Sequence, residues 1–215
     1  MKSVSRTQQV LNVYGVILIL WSVYRWKLAM PEWFDELLAK PFIFVLPVYW
    51  YITHRENKSF LQDIWLHTKK LSGDMYIGLS IGAVFIISAF FVQYIKHSQF
   101  AIDFLMSRGF IVGVVLAFAT ALSEEILSRG FILKKFYEES KNIYLSAFNA
   151  SVLFIILHIP ILFTIPDLRG TLLIIVLMTD FTLSLINSFI FLDRKSLLAP
   201  ILIHAIYNIA ILMYL

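Results

Sequence analysis

Glu124 and Glu125 stand side by side in an apolar run from Gly113 to Ile132 whose one other charged residue is Arg129. A run of that length and apolarity is a membrane-crossing helix, because a backbone in lipid must satisfy all its polar groups internally. A charge near the bilayer centre costs about 2.5–3.5 kcal/mol on insertion scales, so ionisable groups are retained there for a purpose. Two later apolar runs carry His158 and His204, and the second also holds Asn208. Acids, a base and imidazoles on three segments that can converge are the inventory of a hydrolytic site built inside a membrane.

Composition sets the class. Of 215 residues 60% are hydrophobic and 15% charged, with a mean hydropathy of +0.80. Soluble domains run about 45–50% apolar and about 25% charged, so the sequence predicts an all-α, polytopic transmembrane helical bundle of about seven to eight membrane segments. Spans are expected at 9–28, 41–53, 74–95, 109–133, 143–165, 171–192 and 197–215. The second is short and contains Pro47. The stretch 56–70 carries Phe60, Leu61, Ile64 and Trp65 at helical spacing and reads as an amphipathic helix on the membrane surface. One integral membrane domain is expected, with N-terminal helices of unassigned role over 1–108 and a catalytic core over 109–215. The chain has no cysteine, which excludes disulfides, a thiol nucleophile and thiolate metal ligands. No basic stripe interleaved with aromatics appears, so no nucleic-acid partner is expected.

Seven spans place the termini on opposite faces. One face collects Lys2, Arg6, Arg55, Lys58, Lys69, Lys70, Lys134, Lys135, Lys141, Arg194 and Lys195; the other collects Arg25, Lys27, Lys40, Lys96, Arg108 and Arg169. Eleven against six favours a cytoplasmic N-terminus. Short loops and the lack of room for a soluble module favour a prokaryotic cell membrane.

Helical geometry then separates the two acids. Glu125 and Arg129 are four residues apart on one face, in the favourable order for an ion pair, while Glu124 points roughly 140° away from Arg129. Glu124 is therefore expected to have no local countercharge and to face a cavity as a general base. Phe154 and His158 share a face, with Pro160 just beyond, and His204 and Asn208 lie one turn apart. Asp180 is a further acid in an apolar span, open to either a structural hydrogen bond or a site-lining role.

In order, these motifs read E-E-x-x-x-R, F-x-x-x-H and H-x-x-x-N, each on its own span. Over residues 109 to 215 this resembles the CPBP family, the CAAX proteases and bacteriocin-processing enzymes also called the Abi family, and is similar to the type II CAAX prenyl endopeptidases. Ser128 departs from the aromatic residue usual in the family before the arginine. The resemblance implies an intramembrane endopeptidase acting in a cavity open to membrane and cytoplasm. Glu124 would activate a water oriented by His158, His204 and Asn208 would meet the oxyanion, and Glu125 and Arg129 would support the helix. The implied partners are the lipid bilayer and a peptide or membrane-protein substrate, prenylated or bearing a leader.

Three alternatives stand beside this reading. Glu124, His158 and His204 could hold zinc in a metalloprotease. Against this, the sequence offers few partners to orient both imidazoles, so no cofactor is expected and zinc is the alternative. Buried Glu and His could also serve a proton-coupled transporter, although no internal repeat is seen. The last alternative is a non-catalytic immunity-type membrane protein.

Overall fold

The computed structural model describes residues 5–28, 30–97, 108–162 and 170–214, and their regular structure is helical throughout. In chain order, α1 is Arg6–Lys27, α2 is Glu32–Arg55, α3 is Phe60–Asp63 and α4 is Leu71–His97. Helix α5 runs without interruption through Arg108–Glu125, Ile126–Leu133 and Lys134–Ser140. It is followed by α6 (Ile143–Leu162), α7 (Gly170–Arg194) and α8 (Leu198–Tyr214). Among the described residues, five helices are long and apolar enough to cross a membrane (α2, α4, α5, α6 and α7), and α8 is a shorter apolar helix. Their outward faces carry large apolar side chains such as Phe42, Ile87, Phe91 and Ile111, all exposed. The protein is an integral, multi-pass membrane protein.

Three expectations from the sequence change. The span expected at 9–28 forms as α1, capped by the Ser5 side chain accepting from the Gln8 amide at 3.1 Å, but it is not among the five long apolar helices. Gln8, Gln9, Asn12 and Arg25 dilute its apolarity. The short span at 41–53 is the second half of the 24-residue α2. Proline at 41 imitates a helix start, yet it lies inside α2, where wide π turns (Asp35–Ala39, Pro41–Val45 and Tyr51–Arg55) carry the chain past both prolines. The stretch 56–70 is not a surface helix: only the four-residue α3 forms, and Asp63 and Ile64 are buried. Lys2, Arg169, the span end 163–165 and residue 215 lie outside the described residues.

What holds 56–70 down is charge. Lys134 and Lys135 are buried in the last turns of α5, and Asp63 meets them at 3.0 and 2.7 Å. Glu56 adds a contact to Lys135 at 2.6 Å. Ile64 sits over Gly130, where a Cβ would come within 3.0 Å of it, and Trp65 stacks on Phe191 while its carbonyl accepts from the Leu197 amide at 3.0 Å. The Arg194–Asp74 pair at 2.9 Å and the Arg6–Glu138 pair at 2.9 Å lie at the same end of the bundle, as the charge distribution predicts.

At the other side of the bundle, α8 lies flush on α4. Gly78 and Gly82 make a G-x-x-x-G face, and a Cβ on Gly78 would come within 2.7 Å of Leu202 while one on Gly82 would strike Ile206. Small residues of this kind let membrane helices approach closely. Tyr14 of α1 donates to the Leu153 carbonyl of α6 at 2.7 Å, and Ser184 of α7 to Ser151 of α6 at 2.9 Å. Helices α5, α6, α7 and α8 thus enclose one interior, with α2 closing its flank.

Burial raises the carboxyl of Asp63, but hydrogen bonds from Lys135 and Lys134 outweigh it and hold the group down to about 2 from an ordinary 3.8. A carboxylate with a depressed value stabilises the fold above its unfolded value and loses that stabilisation as pH falls through the folded one. Asp63→Asn should therefore lower the melting temperature of detergent-solubilised protein at neutral pH. The gap to wild type should narrow as pH falls from 3.8 towards about 2. A gap that stays constant over that window would mean Asp63 acts through packing alone.

Candidate active site

The centre of the interior is Glu125, which is fully buried at the junction of α5, α7 and α8. Its Oε1 accepts from Arg129 Nη1 at 2.8 Å, from His204 Nδ1 at 2.8 Å and from Asn187 Nδ2 at 3.0 Å. The Glu125–Arg129 pair is the one the spacing predicts, and it forms although Ile126–Leu133 is wound as wide π turns. Asn187 was not singled out in the sequence. A buried amide in an apolar helix is the available signal. Asn187 also reaches the Pro200 carbonyl at 3.1 Å, so it ties α7 to α8 as well as to Glu125.

Phe154 packs between these groups. The Arg129 guanidinium lies over its ring at 4.7 Å from the centroid, and the rings of His158 and His204 stand at 4.6 and 5.8 Å. The F-x-x-x-H spacing therefore places an aromatic floor beneath both imidazoles. His158 Nδ1 donates to the Phe154 carbonyl at 2.8 Å, a carbonyl one turn back on the same helix. With their Nδ1 atoms engaged, both imidazoles turn Nε2 towards Glu124.

Glu124 departs from expectation. It is buried, and its Oε1 meets Lys40 Nζ of α2 at 2.8 Å. Lys40 is itself buried and pairs with Glu36 at 2.7 Å, and Thr120 hydrogen-bonds Glu36. Glu124 thus has a countercharge, although not a local one in sequence. The expected span at 41–53 leaves Lys40 outside it, on the less basic face, because Pro41 reads as a helix start. Reading the helix from Glu32 exposes Glu36 and Lys40 as an i, i+4 pair inside a span, which was the missed signal. The second oxygen, Oε2, makes no hydrogen bond and lies 3.6 Å from His158 Nε2 and 3.7 Å from His204 Nε2.

These groups border a cavity of about 280 Å³. Glu124, His158, His204 and Asn208, the four residues singled out as catalytic, all line it, while Glu125 and Arg129 lie behind the wall. Lys40 and Asp180 line it too. Asp180 takes both of its expected roles, since it also accepts from the Tyr207 hydroxyl at 2.8 Å. The cavity wall extends through Glu32 and Gly113, near the starts of α2 and α5, to Leu212 near the end of α8. That is the end of the bundle opposite the Lys134–Asp63 cluster. A cytoplasmic N-terminus would turn this cavity away from the cytoplasm, against the opening that the resemblance implies.

The scarcity of orienting partners, raised against zinc, does not survive: the Phe154 carbonyl orients one imidazole and Glu125 the other. Yet Glu124, the third donor, already carries the Lys40 ammonium. Among the described residues no group of three His, Asp or Glu side chains is arranged to hold one metal ion.

Residues 105–210 match the family model for type II CAAX prenyl endopeptidase Rce1-like proteins. The match spans α5 to α8, which carry every residue of the three motifs, and excludes α2 with Lys40. No curated protein and no solved structure matches the chain.

The two glutamates should separate in stability. Glu125→Gln leaves Arg129 buried without its ion-pair partner, a loss of about 3–5 kcal/mol. Glu124→Gln leaves Lys40 paired with Glu36 and should cost less. Thermal denaturation of both variants in detergent measures the difference, and equal melting temperatures would show that Arg129 does not depend on Glu125.

Proposed function

We propose that the chain, whose residues 105–210 match the model for type II CAAX prenyl endopeptidase Rce1-like proteins, is a membrane-embedded protease that hydrolyses a peptide bond at Glu124 with water as the nucleophile. The observation that carries this is the unpartnered Glu124 Oε2, set between two imidazole Nε2 atoms at 3.6 and 3.7 Å. Those distances are too long for direct hydrogen bonds and leave all three atoms open to a water seated beside them on the cavity side. With Nδ1–H committed to the Phe154 carbonyl, His158 has Nε2 left to orient that water.

Glu124 takes one proton from the water as its oxygen adds to the peptide carbonyl. The same proton passes from Glu124 to the amine as the carbon–nitrogen bond breaks, so the carboxylate is regenerated. The developing oxyanion is met by His204 and by the amide of Asn208. Since His204 gives Nδ1–H to Glu125, its Nε2 donates when the ring holds a second proton, and Glu124 and Glu125 flank the ring to balance that charge. The substrate class is a peptide or membrane-protein segment reaching a cavity within the bilayer, prenylated or bearing a leader peptide, in a prokaryotic cell membrane.

Purified protein assayed against a farnesylated peptide ending in CAAX, the same peptide unprenylated, and a double-glycine leader peptide tests substrate and residues together. Glu124→Gln should abolish cleavage while the protein still folds. His204→Ala and Asn208→Ala should each lower kcat by about 10²–10³-fold with little change in KM. A raised KM at unchanged kcat would make either a substrate-binding residue instead.

Zinc is a second reading, favoured by the orientation of both imidazoles. The ammonium of Lys40 on Glu124 favours the metal-free one, because a divalent cation would have to share the carboxylate with it. Activity should survive exhaustive chelation, with no stoichiometric metal in active protein. Stoichiometric zinc, with activity lost on chelation and restored on adding metal, would promote the metalloprotease.

A further inference from the structure

Lys40 belongs to a helix outside the matched segment, and no motif includes it. Its side chain is nevertheless the one cation in direct contact with Glu124 among the described residues, at 2.8 Å, and both side chains are 5% exposed. The contact is made on Oε1, and Oε2 alone is left facing the imidazoles. A carboxylate held by one oxygen cannot rotate freely about its last bond, so the contact also fixes the direction in which Oε2 points. We propose that Lys40 is a positioning residue for the hydrolysis, holding Glu124 ionised and aiming its free oxygen at the place of the attacking water, with Glu36 and Thr120 holding Lys40.

The arrangement is specific in its parts. Glu36 contacts Lys40 at 2.7 Å and accepts from Thr120, which stands one turn before Glu124 on α5. Helix α5 thus supplies both the base and the group that anchors the other carboxylate bound to the lysine. One buried ammonium shared by two carboxylates leaves the trio with a net charge of −1 when both acids are ionised. Were Lys40 apolar, Glu36 and Glu124 would be two buried acids without a shared cation, and the low-dielectric interior would favour their neutral forms. A protonated Glu124 cannot accept a proton from water. The groups that face Glu124 from the surrounding helices are Lys40 and Glu36 on α2, His158 on α6 and His204 on α8, with Glu32 of α2, Asp180 of α7 and Tyr207 of α8 lining the same cavity. Lys40 is the member of this set that carries a fixed positive charge, so its loss has no obvious substitute. This inference rests on the assignment of Glu124 as the base.

The test compares wild type with Lys40→Arg, Lys40→Met and the double variant Glu36→Gln/Lys40→Met, all as full chains in detergent. The double variant removes the second unpaired acid and keeps the test meaningful if Lys40→Met fails to fold. Infrared spectroscopy follows the carboxyl band that disappears when Glu124→Gln is added to each background. In the double variant this band should persist to a pH about one to three units higher than in wild type. Turnover of the farnesylated CAAX peptide should fall, with KM within about twofold, and the acid limb of its pH profile should move up together with the band. Lys40→Arg, which keeps the charge, should retain more turnover than Lys40→Met. A band and a pH profile that superpose on wild type in the folded double variant would overturn the inference while leaving Glu124 as the base. An active Glu124→Gln would overturn both.

Discussion

A carboxylate in an apolar bundle has to be neutralised where it stands, and here two adjacent carboxylates are neutralised by cations on different helices. Glu125 is served from its own helix by Arg129, one turn on. Glu124 is served from across the bundle by Lys40, eighty-four positions earlier in the chain. The rest of the interior follows from this division. Because Arg129, Asn187 and His204 converge on a single oxygen of Glu125, that carboxylate fixes the relative placement of α5, α7 and α8. Because Lys40 covers only one oxygen of Glu124, the other is left where both imidazoles face it.

The two ends of the bundle are built differently. At one end, Asp63, Glu56, Lys134 and Lys135 form a closed ionic plug that holds the 56–70 loop against α5. At the other, α2, α5 and α8 border the cavity, whose wall includes Glu32 and Leu212. Charged side chains thus tie down one end, while the cavity lies toward the other, its wall combining Glu32 with small and apolar residues such as Gly113 and Ala117.

Much of the site was legible because it is local. Pairs such as Glu125 with Arg129, Phe154 with His158 and His204 with Asn208 lie one turn apart, and helical periodicity brings such residues to one face wherever the helix sits. The all-helical membrane fold followed from apolar runs for the same reason. The contacts that were not legible are those between helices. Asn187 and Lys40 reach the glutamates from segments with no fixed spacing to them, and no periodicity reports such a meeting. Two misreadings were local and had physical causes. Pro41 mimics a helix start because its fixed φ suits a first turn, whereas wide turns accommodate it inside α2. The apolar residues of 56–70 suggested a surface helix, but Asp63 and Glu56 are drawn inward by the lysines beneath them.

The division of the two countercharges also bears on how such a chain can be rearranged. The segment from 105 to 210 holds every motif residue, and it would look sufficient to transplant onto another set of N-terminal helices. It would then arrive with Arg129 for Glu125 but with nothing for Glu124, since the ammonium stays behind on α2. A recombinant chain of this kind would have to reinvent a cation at one depth and one azimuth of a foreign helix. A foreign N-terminal helix without a lysine at that place would leave Glu124 without the ammonium that meets it here.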